Sequence, residues 1–308
     1  MALRIGVGLP IVDGRGAPHD VAALGQRARW IEEAGFSGIW NGDASFRDLA
    51  TWPDPFLWMV VAASATVRVE LGFAALQLPL RHPVDNANRL FTLHALSNGR
   101  LSAGVAPGST LQGFAMMGAP GAFSTRFSKF HADMATIRAL CRGEQVGDAW
   151  LNPWESWRPG PRFMLAAWAG GRMLQRAVDE YDGWLCSAAR TTVGTIVDGL
   201  KRYRDLGGTR AIVASTKCDL GARREPMERD DPFNLVCSAA EASDRLHWLE
   251  ELGFDDVLVN VADGRGSGPF RGDLIHERLL EFRAVYEPAG PIDAALPAED
   301  ASRGAQDE

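Results

Sequence analysis

Short apolar runs alternate with amphipathic stretches along almost the whole chain. Runs at Leu3–Leu9, Gly38–Asn41, Val67–Ala75, Arg100–Ala106, Arg162–Trp168, Gly183–Ser187, Arg210–Ser215 and Asp256–Val261 have the length and continuity of buried strands. Helical segments are predicted between them, near residues 20–34, 54–65, 83–96, 128–142, 171–180, 194–206, 239–252 and 276–286. In the first of these, Val21, Leu24, Ala28 and Ile31 recur at helical spacing. Eight strands, each followed by a helix, is the count of a (β/α)8 barrel, and 308 residues suit one. A doubly wound open sheet satisfies the same alternation, because periodicity does not report closure.

Three connections are too long for plain barrel turns. Residues 107–127 carry Gly108, Gly113, Gly118, Pro120 and Gly121, and residues 216–236 run through Arg223, Arg224 and Glu225 to Asp230 and Asp231. These two follow the fourth and seventh strands, and so belong to the end where barrel enzymes keep their active sites. The third, residues 143–161, joins the fourth helix to the fifth strand and holds Trp150, Trp154 and Trp157. Residues 1–286 therefore read as one barrel domain. The tail from Glu287 is rich in Pro, Ala and acidic residues, the composition of a disordered segment.

The net charge of −7 argues against nucleic acid as the main partner. Basic residues are almost all Arg, with Lys129, Lys201 and Lys217 the three lysines. Cys141, Cys186, Cys218 and Cys237 are widely spaced and form no metal or C-x-x-C pattern. Cys186 sits in an apolar run as a buried, inert thiol. The histidines show no metal-ligand spacing, and no G-x-S-x-G or H-E-x-x-H occurs. No signal-peptide pattern and no uncharged apolar run of about 18 residues is found, so a cytoplasmic, soluble protein is expected.

The segment LRHPVDNANRLFTLHALSNGRLSAGVAPGS, residues 80–109, is the most particular. Pro83 sits in a first helical turn, where its missing N–H costs nothing. The apolar stripe Val84, Ala87, Leu90, Phe91, Leu93 ends at Ser97-Asn98-Gly99, a helix stop signal. A buried strand follows and runs into Pro107-Gly108-Ser109. Its order "HP…TL…LS.GRL..GV..G", with RARWIEEAGFSGIWNGD (27–43) and FMLAAWAGGRMLQRAVDEYDGWL (163–185), resembles the luciferase-like monooxygenase family. These are flavin- and deazaflavin-dependent oxidoreductases built on a TIM barrel. The resemblance covers roughly residues 3–285 and decides for the closed barrel.

The resemblance implies a site at the C-terminal ends of the strands. Asp43 matches the acid of the family's "W..DH", but Ala44 stands in place of the histidine. Asp43 then acts as a general acid, or is a helix cap or loop turn. His82 is the substitute for the absent histidine, or a local structural residue. Ala74–Ala75 falls where the family often has a cis peptide against the flavin ring. Gly104, Gly108 and Ser109 match the family's glycine run in part, with Ala106 replacing a second glycine. Gly170, Gly171 and Arg172 lie where a helix N-terminus meets the cofactor phosphate, or form a tight turn with a solvated Arg. His94 replaces a more usual Asp and reads as a half-buried, satisfied histidine. Trp150, Trp154, Trp157 and Trp168 are candidates for a cofactor or substrate wall, or for core packing.

The implied chemistry uses reduced FMN, received from a separate flavin reductase, and O2 on a small organic substrate. A deazaflavin reading, with coenzyme F420 and hydride transfer without oxygen, remains open. So does a non-catalytic flavin-binding or accessory subunit, to which the missing histidine points. A homodimer is implied, with an interface near helices two and three where Trp58, Met59 and Val60 add apolar surface.

Overall fold

The structure, a computed structural model, describes residues 2–43, 53–169, 171–221, 226–261 and 274–286. Its strands are β1 (Arg4–Gly8), β2 (Gly38–Asn41), β3 (Glu70–Gln77), β4 (Leu101–Ala106), β5 (Arg162–Ala166), β6 (Gly183–Ser187), β7 (Ala211–Asp219), β8 (Leu235–Val236) and β9 (Asp256–Val261). Its helices are α1 (Val21–Glu33), α2 (Pro55–Ala65), α3 (Pro83–Leu96), α4 (Leu111–Met116), α5 (Arg126–Cys141), α6 (Met173–Glu180), α7 (Val193–Asp205), α8 (Ala239–Leu252) and α9 (His276–Arg283). Every strand pairing is parallel, and β1 through β7 with β9 close a ring through the β6–β7, β7–β9 and β1–β9 pairings. This is the expected TIM barrel. The tail from Glu287 and the positions Ala44 and Gly170 lie outside the described residues.

The fifth strand stops at Ala166 rather than Trp168, and two others depart from their predicted bounds for visible local reasons. The third begins at Glu70 rather than Val67, because the Glu32 carboxylate accepts hydrogen bonds from the Val67, Arg68 and Val69 N–H groups at 2.6–3.1 Å. Those donors are thereby taken from the ladder. The seventh runs on to Asp219 past Ser215, which adopts φ +63°. Its register against β9 jumps there, from Val213↔Val257 to Thr216↔Val259. Beyond the jump the short β8 pairs with Cys218 and Asp219.

Strand alternation divides the barrel into an inside and an outside. Outward residues such as Val7, Leu71, Val105, Leu165 and Val257 join the helices in the main core. Inside, Trp40, Met164, Leu185, Ile212 and Leu258 form a second apolar layer. A Cβ at Gly72 would lie 2.1 Å from the Trp40 ring, so glycine there makes room for the indole.

Below that layer, the N-terminal end is closed by charge. Glu70 accepts from Arg4 Nη2 at 2.6 Å, from Arg210 Nη1 at 2.9 Å and Nη2 at 2.8 Å, and from the Ser102 hydroxyl. Arg210 also donates to Asp256 at 2.8 and 3.0 Å. Burial opposes charge on Glu70, but Arg210 and Arg4 outweigh it and hold the carboxyl far below its ordinary range.

The segment 143–161 packs at this same end. Trp154 stacks on Phe91 and Trp157 meets His94 edge-on, both against α3. Trp154 and Trp157 are therefore packing residues rather than walls of the open mouth. Four buried cysteines complete the interior, with burial pushing the Cys141 and Cys186 thiols up to about 12. No helix among the described residues is long and apolar enough to cross a membrane.

Candidate active site

The open, C-terminal end is assembled from the strand ends and the loops that follow. At β2, the Asn41 amide is buried and clamps β1, accepting from Leu9 N at 2.8 Å and donating to Leu9 O at 2.7 Å. Two residues on, the Asp43 carboxylate accepts from Arg81 Nη1 at 2.5 Å and Nη2 at 3.3 Å, and from Gln77 N at 3.3 Å. Both oxygens are thus engaged, and the pair is almost wholly buried. Burial acts to lower Arg81, and the Asp43 bond and charge more than reverse it. Asp43, the expected general acid, anchors a guanidinium here, and its hydrogen bonds among the described residues are with protein groups.

Gln77 extends the same construction. Its Nε2 donates to Asp43 O at 2.9 Å, and its Oε1 accepts from Ser109 N at 3.1 Å. One side chain at the end of β3 therefore ties the loops after β2 and β4 together. Gln77 and Arg81 were passed over in the sequence. The available signal was a polar residue and an arginine bracketing the apolar LPL turn of LQLPLRHP.

Between Phe73 and Leu76 the β3 register against β4 shifts, and the Ala74–Ala75 peptide is cis. Ala74 packs against the inner layer at its open side, as does Ala166 from β5. Gly104 lies beneath this bulge. A Cβ there would come within 2.1 Å of the Phe73 carbonyl, so its place in the structure is to admit the bulge. Gly108 turns the following loop at φ +91°, with Phe114 of α4 packed over it.

His82 caps α3. Its Nδ1 accepts from Val84 N at 3.3 Å, and the residue is exposed, so one ring nitrogen is committed to the helix. After β5, Trp168 is 70% exposed at the rim, and Gly171 and Arg172 lead into α6. No side chain caps that helix, and Arg172 is exposed. His94 belongs to the opposite end, half-buried at the close of α3. Its Nδ1 has no hydrogen-bond partner, which corrects the expectation of a satisfied histidine. Among the described residues no cluster of His, Cys, Asp or Glu is arranged to hold a metal ion.

The luciferase-like monooxygenase family model matches residues 4–230. Limonene 1,2-monooxygenase of Rhodococcus erythropolis is 32% identical over 116 residues, which is 38% of this chain and 30% of that protein. The F420-dependent glucose-6-phosphate dehydrogenase of Beutenbergia cavernae is 34% identical over 139 residues, 42% of this chain and 39% of that protein. The matched stretch is thus less than half the length of either relative. The oxygenating constituent of 3,6-diketocamphane monooxygenase from Pseudomonas putida, solved with FMN, superposes with a TM-score of 0.69 at 16% identity. That superposition covers 92% of this chain and 97% of that one. The chain belongs to the luciferase-like monooxygenase family of flavin- or F420-dependent oxidoreductases.

Proposed function

We propose that this protein is a monooxygenase that uses reduced FMN and O2 to oxidise a small organic substrate. The observation that carries the reading is the shape of the open end. Above a barrel filled to the level of Trp40, the inner wall is made of small side chains, Ala74 and Ala166, with backbone close to the surface. Such a wall fits a flat ring. Arg172, at the uncapped start of α6, suits a phosphate through its exposed guanidinium, and Gly171, whose own N–H donates to Trp168 O at 3.1 Å, shapes the turn that presents it. Gly108 and Ser109, pinned by Gln77, border the same mouth.

Reduced flavin, when bound, supplies the electrons that activate oxygen. The protein's own part is positional. Asn41, Asp43, Gln77 and Arg81 hold four strand ends in fixed relation, so the small-residue wall is set before any ligand arrives. With Asp43 occupied by Arg81 and Ala44 at the histidine position, the β2 side offers no free proton relay among the described residues. That favours oxygen chemistry over a hydride transfer that must deprotonate an alcohol.

A separate reductase supplying the flavin belongs to this proposal, as does a homodimer. The apolar surface for the dimer is Leu57 and Val60 of α2, which are 70% and 39% exposed. Trp58 and Met59, expected at the interface, are instead buried in the chain's own core.

The test is anaerobic titration with reduced FMN and with reduced F420, followed by admission of oxygen. Tight binding of reduced FMN and oxygen uptake coupled to substrate supports the proposal. Binding of F420 alone establishes the hydride-transfer reading, and binding without turnover for either establishes the accessory subunit.

A further inference from the structure

The shift of register in β7 changes which of its residues face the barrel axis. Ile212 and Ala214 belong to the inner layer, so unbroken alternation would next turn Thr216 and Cys218 inward. Ser215, at φ +63°, inserts the extra residue, and Thr216 pairs with Val259 while Lys217 pairs with Asn260. Val259 lies in the outer core, whereas Leu258 lies inside, which places Asn260 on the inner face and Lys217 with it. Two further observations agree with this phase. Cys218 is packed in the outer core, and the Thr216 hydroxyl, turned among the helices, is buried with no hydrogen-bond partner.

One left-handed serine therefore delivers a lysine, one of three in the chain, to the rim of the mouth. Lys217 is exposed, and no ion pair or hydrogen bond holds its ammonium among the described residues. The neighbouring acid on the same strand, Asp219, turns its Oδ1 to the Gly221 N–H at 3.1 Å. Across β6, just past the end of β5, stands the exposed Trp168.

We infer that Lys217, with the Asn260 amide beside it, is a subsite for an anionic oxygen group of the substrate, whose apolar body lies toward Trp168. The substrate class is thus an amphipathic organic acid. This rests on the proposed active site at the same mouth, and it adds the charge of the molecule admitted. A carboxylate from the substrate and a phosphate from the cofactor share the chemistry that a lysine recognises.

The experiment separates them by anaerobic calorimetric titration of the full chain with two matched pairs of probes, octanoate against 1-octanol and reduced FMN against reduced riboflavin. The expected result is that the unaltered protein prefers octanoate to octanol at least tenfold. Lys217→Met abolishes that preference, Lys217→Arg keeps it, and the ratio of FMN to riboflavin affinity is unchanged. Both variants should melt with the parent, since the side chain is exposed. If Lys217→Met weakens FMN but not riboflavin, the lysine serves the cofactor's phosphate and the inference fails. It fails also if the parent shows no preference for octanoate. A parent that prefers octanoate yet binds neither flavin leaves this subsite standing and removes the monooxygenase proposal instead.

Discussion

The two ends of the barrel handle charge in opposite ways. At the N-terminal end, Arg4, Glu70, Arg210 and Asp256 are drawn from four strands or their approaches and neutralise one another, the carboxylates buried and the guanidiniums mostly so. At the C-terminal end, small residues line the inside, and Lys217, Arg172 and Trp168 stand exposed around it. Asp43, built deeply into that end, is paired with Arg81. A largely buried network whose charges are spent on one another serves the structure. An unpaired cation at the rim carries little stability and is free to meet a ligand.

The sharpest way to break this contrast is at Glu70. Glu70→Gln leaves the mostly buried Arg4 and Arg210 without their shared counter-ion and should cost about 3 kcal/mol of stability in urea unfolding, Asp256 still holding Arg210. The sign of its pH dependence follows from a folded-state pKa below the unfolded one. The contribution is fully present above the ordinary glutamate range and is lost as pH falls through the depressed value. A Glu70→Gln variant with parental stability would mean that the closed end is held by its apolar layer alone.

Arg81→Met should cost less, about 2–3 kcal/mol, since it strands a single carboxylate. Adding Asp43→Asn to it should recover at least half of that loss. If the double variant is as unstable as the sum of the single ones, the pair is not what holds the loops after β2 and β3 together.

Smaller again is the effect at Ser215. Ser215→Val places a β-branched residue at φ +63° and should cost about 1–2 kcal/mol, whereas Ser215→Gly should be near neutral. Equal melting of the two variants would show that the bulge is absent in solution.

The smallest effect concerns His94, whose burial, with help from Arg162, lowers it from 6.5 to about 4. The folded state therefore resists protonation while the unfolded chain accepts it, so stability is lost as pH falls from about 6.5 toward 4. His94→Gln should change stability by no more than about 1 kcal/mol at pH 7 and flatten the urea midpoint across that interval. Parallel curves for the two proteins would assign the slope to another group.

Much of this was legible without coordinates. The eight barrel strands and their helices fall where the periodicity places them, because burial on both faces writes continuous apolar runs and helix packing writes a stripe. The cis peptide occurs at the expected Ala74–Ala75. The roles within the mouth were less legible. The pairing of Asp43 was hidden because nothing local announces a partner 38 residues away. Trp154 and Trp157 looked like possible wall because aromatic residues among prolines read the same at either end of a barrel.

The sequence by itself determined the element order and class of fold, the family, and the two loops that crown the open end, since these depend on local pattern and short-range turn chemistry. Only the tertiary structure decided which charges neutralise one another and which remain available. Glu70 and Arg210 are 140 residues apart and meet because the ring closes. Lys217 faces the axis, and not the helices, because one residue in a left-handed conformation displaces the alternation of a strand by one. A period of two predicts the inward set only while the register is unbroken, and a bulge is visible only against the neighbouring strand.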